Sequence, residues 1–237
     1  VASTHSIQAD VAQRLPGSTR LFATTWIATM TLLMAIQLLA RTPVWSLEIA
    51  LLGVLGFFAC ARPIRLGSKL EVSAAQPAAF AALLLAGTSA AILVVLCCVL
   101  GAMLLRRRSP GALKVAFNLA TGVATVLVAG PLIGGGLVTT GGGVDQSIFP
   151  LLLAATAIAF PISTIPVATA VALETRQRLL RLWVEKYAPT AMAFLAGSGL
   201  ALLLAMALDQ LGPQSAYFFV PLALLLYKSS LNTVTAQ

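Results

Sequence analysis

The sequence predicts an all-α protein, a polytopic bundle of transmembrane helices with about eight membrane segments and a range of six to eight. Three observations carry this: the scarcity of charge, the length of the apolar runs and the placement of the cations. Of 237 residues, 59% are hydrophobic and 9% are charged, where soluble domains carry about 25% charged residues. The mean hydropathy is +0.96. So little charge cannot cover a water-facing surface, and lipid is the solvent that such a chain needs.

The segments follow in order. Residues 1–20 are polar, with Asp10, Arg14 and Arg20. They are too long and too mixed for a signal-peptide n-region, so the run Leu21 to Leu39 reads as a retained first helix. The second segment is Val44 to Cys60. A polar stretch from Ala61 to Gln76 follows, and then a short third segment, Pro77 to Ala86. The third is expected either to tilt and extend through its neighbours or to be a re-entrant piece buried in protein. Gly87 and Thr88 separate it from the fourth, Ser89 to Leu105, which Arg106, Arg107 and Arg108 end. The fifth runs from Ala112 to Leu132, a glycine-rich loop carries Gly134 to Gly143 and Asp145, and the sixth is Ile148 to Leu173. Ala191 to Leu208 and Ala216 to Tyr227 are the seventh and eighth. One domain is expected over 21–230, between a cytoplasmic N-terminal segment, 1–20, and a short C-terminal tail, 231–237.

If the segments cross alternately, all of the 15 Lys and Arg except Arg41 fall on one side. The positive-inside rule makes that side cytoplasmic and puts both termini there, in a bacterial inner membrane. The net charge of +8 is thereby explained by membrane topology, and no nucleic acid is expected as a partner. Membrane lipids are.

Local features add detail. Between 61 and 73, apolar residues alternate at Ile64, Leu66, Leu70 and Val72 around Gly67 and Ser68, a signal for a small hairpin. Two readings stay open: a hairpin packed on the bundle or a partner, or an extended basic loop near anionic lipid. Glu174 to Tyr187 reads as one amphipathic helix. Leu180, Trp183, Val184 and Tyr187 share one face, and Arg178, Arg181 and Glu185 another. Glu174 is placed to pair with Arg178. The stretch serves either as a membrane-surface anchor or as a coupling helix for a partner.

Polar groups within spans are the candidate ligand contacts. Glu48 lies just inside the second segment, and an intramembrane acid suggests a site. Asn118 lies in the fifth. Pro161 and Pro166 kink the sixth beside Ser163 and Thr164, and a kinked helix can line a cavity. The cavity set is therefore Glu48, Asn118, Ser163 and Thr164. The coupling or surface set is Arg62, Arg65, Arg178, Arg181, Trp183 and Tyr187. His5 is the only histidine, and Cys60, Cys97 and Cys98 show no zinc spacing. No metal, no cofactor and no catalytic residue is expected.

Several strings occur in a recognisable order. Arg62-Pro-Ile-Arg-Leu-Gly-Ser-Lys-Leu-Glu-Val-Ser73 precedes a short helix ending at Gly87, and a helix ending in Arg106-Arg107-Arg108 follows. Ala112-Leu-Lys-Val-Ala-Phe-Asn-Leu-Ala120, Leu182-Trp-Val-Glu-Lys-Tyr-Ala-Pro189 and a last helix through Pro221 to Tyr227 complete the order. Over about 21–230 the chain resembles the N-terminal multi-helix membrane region of bacterial GGDEF and HD-GYP signalling proteins. The resemblance implies a sensor whose helices are arranged like the substrate-binding components of vitamin-type transporters. It departs from the pattern in carrying no output enzyme after Lys228, and in having Ser163 and Thr164 where relatives often carry asparagine. The expected function is a non-catalytic membrane sensor or ligand-binding module acting through a partner membrane or cytoplasmic protein. An accessory subunit of a larger membrane complex is the first alternative, and a substrate-binding transport component the second.

Overall fold

The computed structural model describes residues 16–43, 45–61, 64–66, 70–72, 75–105, 111–133 and 148–215. Helix α1 (Gly17–Ala40) starts behind Pro16 and stops where Arg41 turns extended ahead of Pro43. Helix α2 (Leu47–Ala61) follows, with the Ile49 amide donating to Ser46 Oγ at 3.4 Å. Strands β1 (Ile64–Leu66) and β2 (Leu70–Val72) pair antiparallel, with Ile64 opposite Val72 and Leu66 opposite Leu70. Then come α3 (Ala75–Leu105), α4 (Ala112–Ile133), α5 (Phe149–Thr175), α6 (Leu179–Lys186) and α7 (Ala191–Leu211).

Among the described residues, five helical stretches are long and apolar enough to cross a membrane: α1, α3, α4, α5 and the run Leu179–Leu211 that joins α6 to α7. A shorter apolar helix, Leu47–Phe58, lies within α2. The eighth expected segment, the glycine-rich loop, the N-terminal residues 1–15 and the Arg106 to Arg108 run lie outside the described residues.

The third and fourth expected segments form the single element α3, and Gly87 decides its shape. Its φ of 81° and ψ of −172° are not helical, a conformation that only glycine adopts without strain. In a straight helix Ala78 and Cys98 would stand about 30 Å apart. Yet both face Gly56: a Cβ built there would lie 2.6 Å from Cys98 Sγ, 3.6 Å from Val94 and 3.7 Å from Ala78. The chain therefore folds back at Gly87 into two limbs, 75–86 and 88–105. The first is about 18 Å long and the second about 27 Å.

The first limb forms the middle of the bundle. Every residue from Pro77 to Leu85 is buried, and Ala81, Ala82, Leu83 and Leu84 have no exposed surface at all. A segment this short falls well below the roughly 30 Å of a bilayer core. Enclosure by other helices is what satisfies it, in keeping with the expectation of a piece buried in protein.

Small residues set the close approaches around it. Gly53 faces Cys97, Gly56 faces Cys98, and Gly101 lies against the Phe57 carbonyl. These pairs ascend together, so α2 and the second limb run parallel. Gly122 meets Val95 and Gly130 meets Thr88, so α4 runs antiparallel to that limb. Such contacts supply the adhesion that the hydrophobic effect cannot provide between helices in lipid. Helix α1 stacks along α4 through Phe22 on Phe117, with ring centroids 6.2 Å apart. It leaves Leu32, Leu33, Ile36 and Leu39 exposed.

Candidate functional site

The two limbs part below the Gly87 turn, and a cavity of about 380 Å³ opens between them and their neighbours. The end of α2 (Cys60), the start of the first limb (Gln76, Phe80), the second limb (Val95, Val99), α4 (Asn118, Thr125), α5 (Ser163) and α7 (Phe194) form its wall. The volume falls within the range of small-molecule sites, about 300–1,000 Å³. Among the described residues, no Lys, Arg, His, Asp or Glu lines it.

The sequence-expected cavity residues separate into two groups. Asn118 and Ser163 come together on the wall. Asn118 makes no hydrogen bond to the described residues and is exposed, whereas Ser163 Oγ donates to the Phe160 carbonyl at 2.8 Å. Thr164 turns away. Its hydroxyl donates to the same carbonyl and accepts from Trp183 Nε1 at 3.0 Å. Glu48 sits in the first turn of α2, about 18 Å along the helix from Cys60. It belongs to the opposite end of the bundle, where a carboxylate complements the helix dipole.

A polar network that sequence reading did not single out fixes the site's frame. Gln76 Nε2 donates to the Phe194 carbonyl and to Ser198 Oγ, both at 2.9 Å. Thr156 Oγ1 lies 2.8 Å from Ser198 Oγ. The Phe194 carbonyl can only accept, which fixes the orientation of the Gln76 amide. Gly197 makes room: a Cβ there would lie 2.7 Å from Gln76 Oε1. Gln76 sits at the edge of a polar stretch, and Thr156 and Ser198 are isolated small polar residues in apolar runs. Only the glutamine's position, one residue before an apolar segment, was a signal in the sequence.

The coupling residues sort differently. The expected helix over 174–187 is interrupted: α5 ends at Arg176, whose φ of 54° and ψ of 33° are left-handed, and α6 starts afresh at Leu179. The break takes Glu174 and Arg178 off a common helix, and no ion pair joins them. Arg181 pairs instead with Glu185 at 2.7 Å, both on the surface. Of the expected apolar face, Leu180 and Val184 are exposed, while Trp183 and Tyr187 are half-buried. Leu182 is the buried anchor. Trp183 packs on Phe160 at 6.0 Å, and Phe160 in turn packs on Phe194 at 5.5 Å. Arg65 lies in β1, and Arg62 is outside the described residues.

Cys60 and Cys98 are buried neighbours on the wall, with their thiols in hydrogen-bond contact. Among the described residues, no three or more of His, Cys, Asp and Glu gather as a metal site would require.

A scan of protein-family models found no match to this chain, and neither did searches of curated proteins and of solved structures.

Proposed function

We propose that this chain is a non-catalytic multi-pass membrane protein that holds a small, largely apolar ligand between its helices and presents the bound state to a partner protein. The cavity between the limbs of α3, with no charged side chain among the described residues of its wall, carries the reading. It is concave, mostly apolar and furnished with a few polar side chains, the usual make-up of a small-molecule site. The linkage from cavity to surface supports the second half. Ser163 lines the cavity, Thr164 beside it accepts from Trp183, and Trp183 belongs to the surface helix α6.

The membrane is proposed to be a bacterial inner membrane, with the cavity end and both termini cytoplasmic. The support is the charge pattern: the segments leaving the cavity end of α2 and of the second limb carry Arg62, Arg65 and Arg106 to Arg108. Thiol labelling of Arg107→Cys and Asp145→Cys in intact cells, on a background without native cysteines, is expected to place them on opposite sides. Labelling from a common side overturns the orientation.

Native mass spectrometry of the intact chain released from membranes in mild detergent tests the function. A bound small molecule is expected, lost in Asn118→Trp, which fills the open side of the cavity from an exposed position. A stoichiometric protein partner with an empty cavity supports the accessory-subunit reading instead.

A further inference from the structure

The hydrogen-bonding sense of the cavity wall is unbalanced. Thr121 Oγ1 donates its only proton to the Phe117 carbonyl at 2.9 Å and already accepts from Trp26 Nε1 at 3.3 Å. Thr125 Oγ1 donates to the Thr121 carbonyl at 2.8 Å. Ser163 Oγ donates to the Phe160 carbonyl at 2.8 Å. A hydroxyl has one proton and two lone pairs, so all three proton donors are spent on backbone. Gln76 has committed both amide hydrogens to Phe194 and Ser198. Any polar group that reaches Thr125 or Ser163 must bring the hydrogen itself. Asn118, which makes no hydrogen bond to the described residues, keeps both a donor and an acceptor for an occupant.

The charge state of an occupant is equally constrained. Among the described residues, none that lines the cavity carries charge, and an ion held by that wall alone pays a desolvation penalty that nothing on it offsets. The remaining wall, with Phe80, Val95, Val99 and Phe194, takes a hydrocarbon or aromatic body.

We propose that the cavity selects an uncharged molecule with an apolar body and a hydroxyl donor, of the alcohol or phenol class, over the same body carrying only an acceptor. The selecting groups are the Thr125 and Ser163 hydroxyl oxygens. This rests on the reading of the cavity as a ligand site.

A matched pair of probes tests it: para-pentylphenol and its methyl ether, para-pentylanisole, titrated calorimetrically into the intact chain in mild detergent against a detergent-only control. The two share a body and differ in the donor. The phenol is expected to bind roughly two- to tenfold more tightly, the worth of one neutral hydrogen bond. The double variant Thr125→Val with Ser163→Ala is expected to bring that ratio to about one while the ether still binds. Equal binding, or preference for the ether, overturns the donor rule and leaves the ligand site standing. A phenol preference that survives the double variant overturns the assignment to these two oxygens. Failure of both probes to bind overturns the ligand site itself.

Discussion

The first limb of α3 and helix α1 are both apolar, yet they occupy opposite environments. The limb is enclosed residue by residue from Pro77 to Leu85. In α1 only 11% of the most apolar window is buried, and α1 lies along the outside of α4. In water both segments would be driven inward alike. In lipid hydrophobicity does not choose between them, and shape does. The limb is built of Ala78, Ala79, Ala81 and Ala82 with Phe80 between them and Leu83 to Leu85 after them, and its glycine-bearing neighbours let backbones close on it. Helix α1 carries bulky Leu32, Leu33, Ile36 and Leu39 on a face that no described helix meets.

That contrast can be broken by substitution, with thermal unfolding in mild detergent followed by a thiol-reactive dye reaching buried Cys60 and Cys98. Gly101→Val pushes a side chain into the Phe57 carbonyl, a backbone atom with nowhere to go. It is expected to cost about 3 kcal/mol, near the top of the usual overpacking range. The matching enlargement on α1, Ala28→Val, is expected to cost less than about 0.5 kcal/mol. Gly87→Ala forces a Cβ onto the turn that lets the limbs fold back, at about 2 kcal/mol. Leu84→Ala leaves a void and is expected to cost about 2 kcal/mol, the low end for a core leucine, because moving the side chain into lipid costs little. Leu32→Ala on α1 is expected to be near neutral. A loss as large as that for Leu84→Ala would mean that α1 packs against protein on its outer face. An intermediate effect sharpens the network: Ser198→Ala removes the hydroxyl shared by Gln76 and Thr156, at about 1 kcal/mol.

Much of this architecture was legible in the residues. Helical spans showed in run lengths, because apolar runs of about 20 have few other uses. The break at Gly87 and the short third segment were visible, as was the alternation behind β1 and β2. The reversal there was legible too, since segments that cross alternately must turn back between the third and the fourth; which face of α2 meets both limbs was not, because it depends on contacts among three separate segments. The five long helical stretches are fewer than the eight apolar segments, since Gly87 joins two of them into one element, the second forms only a shorter apolar helix and the last lies outside the described residues. Of the cavity residues, Asn118 and Ser163 stood out as polar groups inside spans. Gln76 did not, because a glutamine at the end of a polar stretch looks like loop. Glu48 was singled out on charge alone, and its helix runs toward the cavity with the carboxylate at the far end. The reading of 174–187 as one helix failed at Arg176, where nothing in the helical periodicity announces a left-handed residue.

The enclosed limb also constrains how the chain is made. As a nascent segment it is too short to settle as an ordinary span, and Gln76 finds Phe194 and Ser198 only after more than a hundred further residues have been synthesised. Until α7 emerges, the ribosome has delivered a hairpin whose inner limb has no permanent neighbours on one side. Arrival of α7, and not the passage of the limb itself, completes the limb's enclosure.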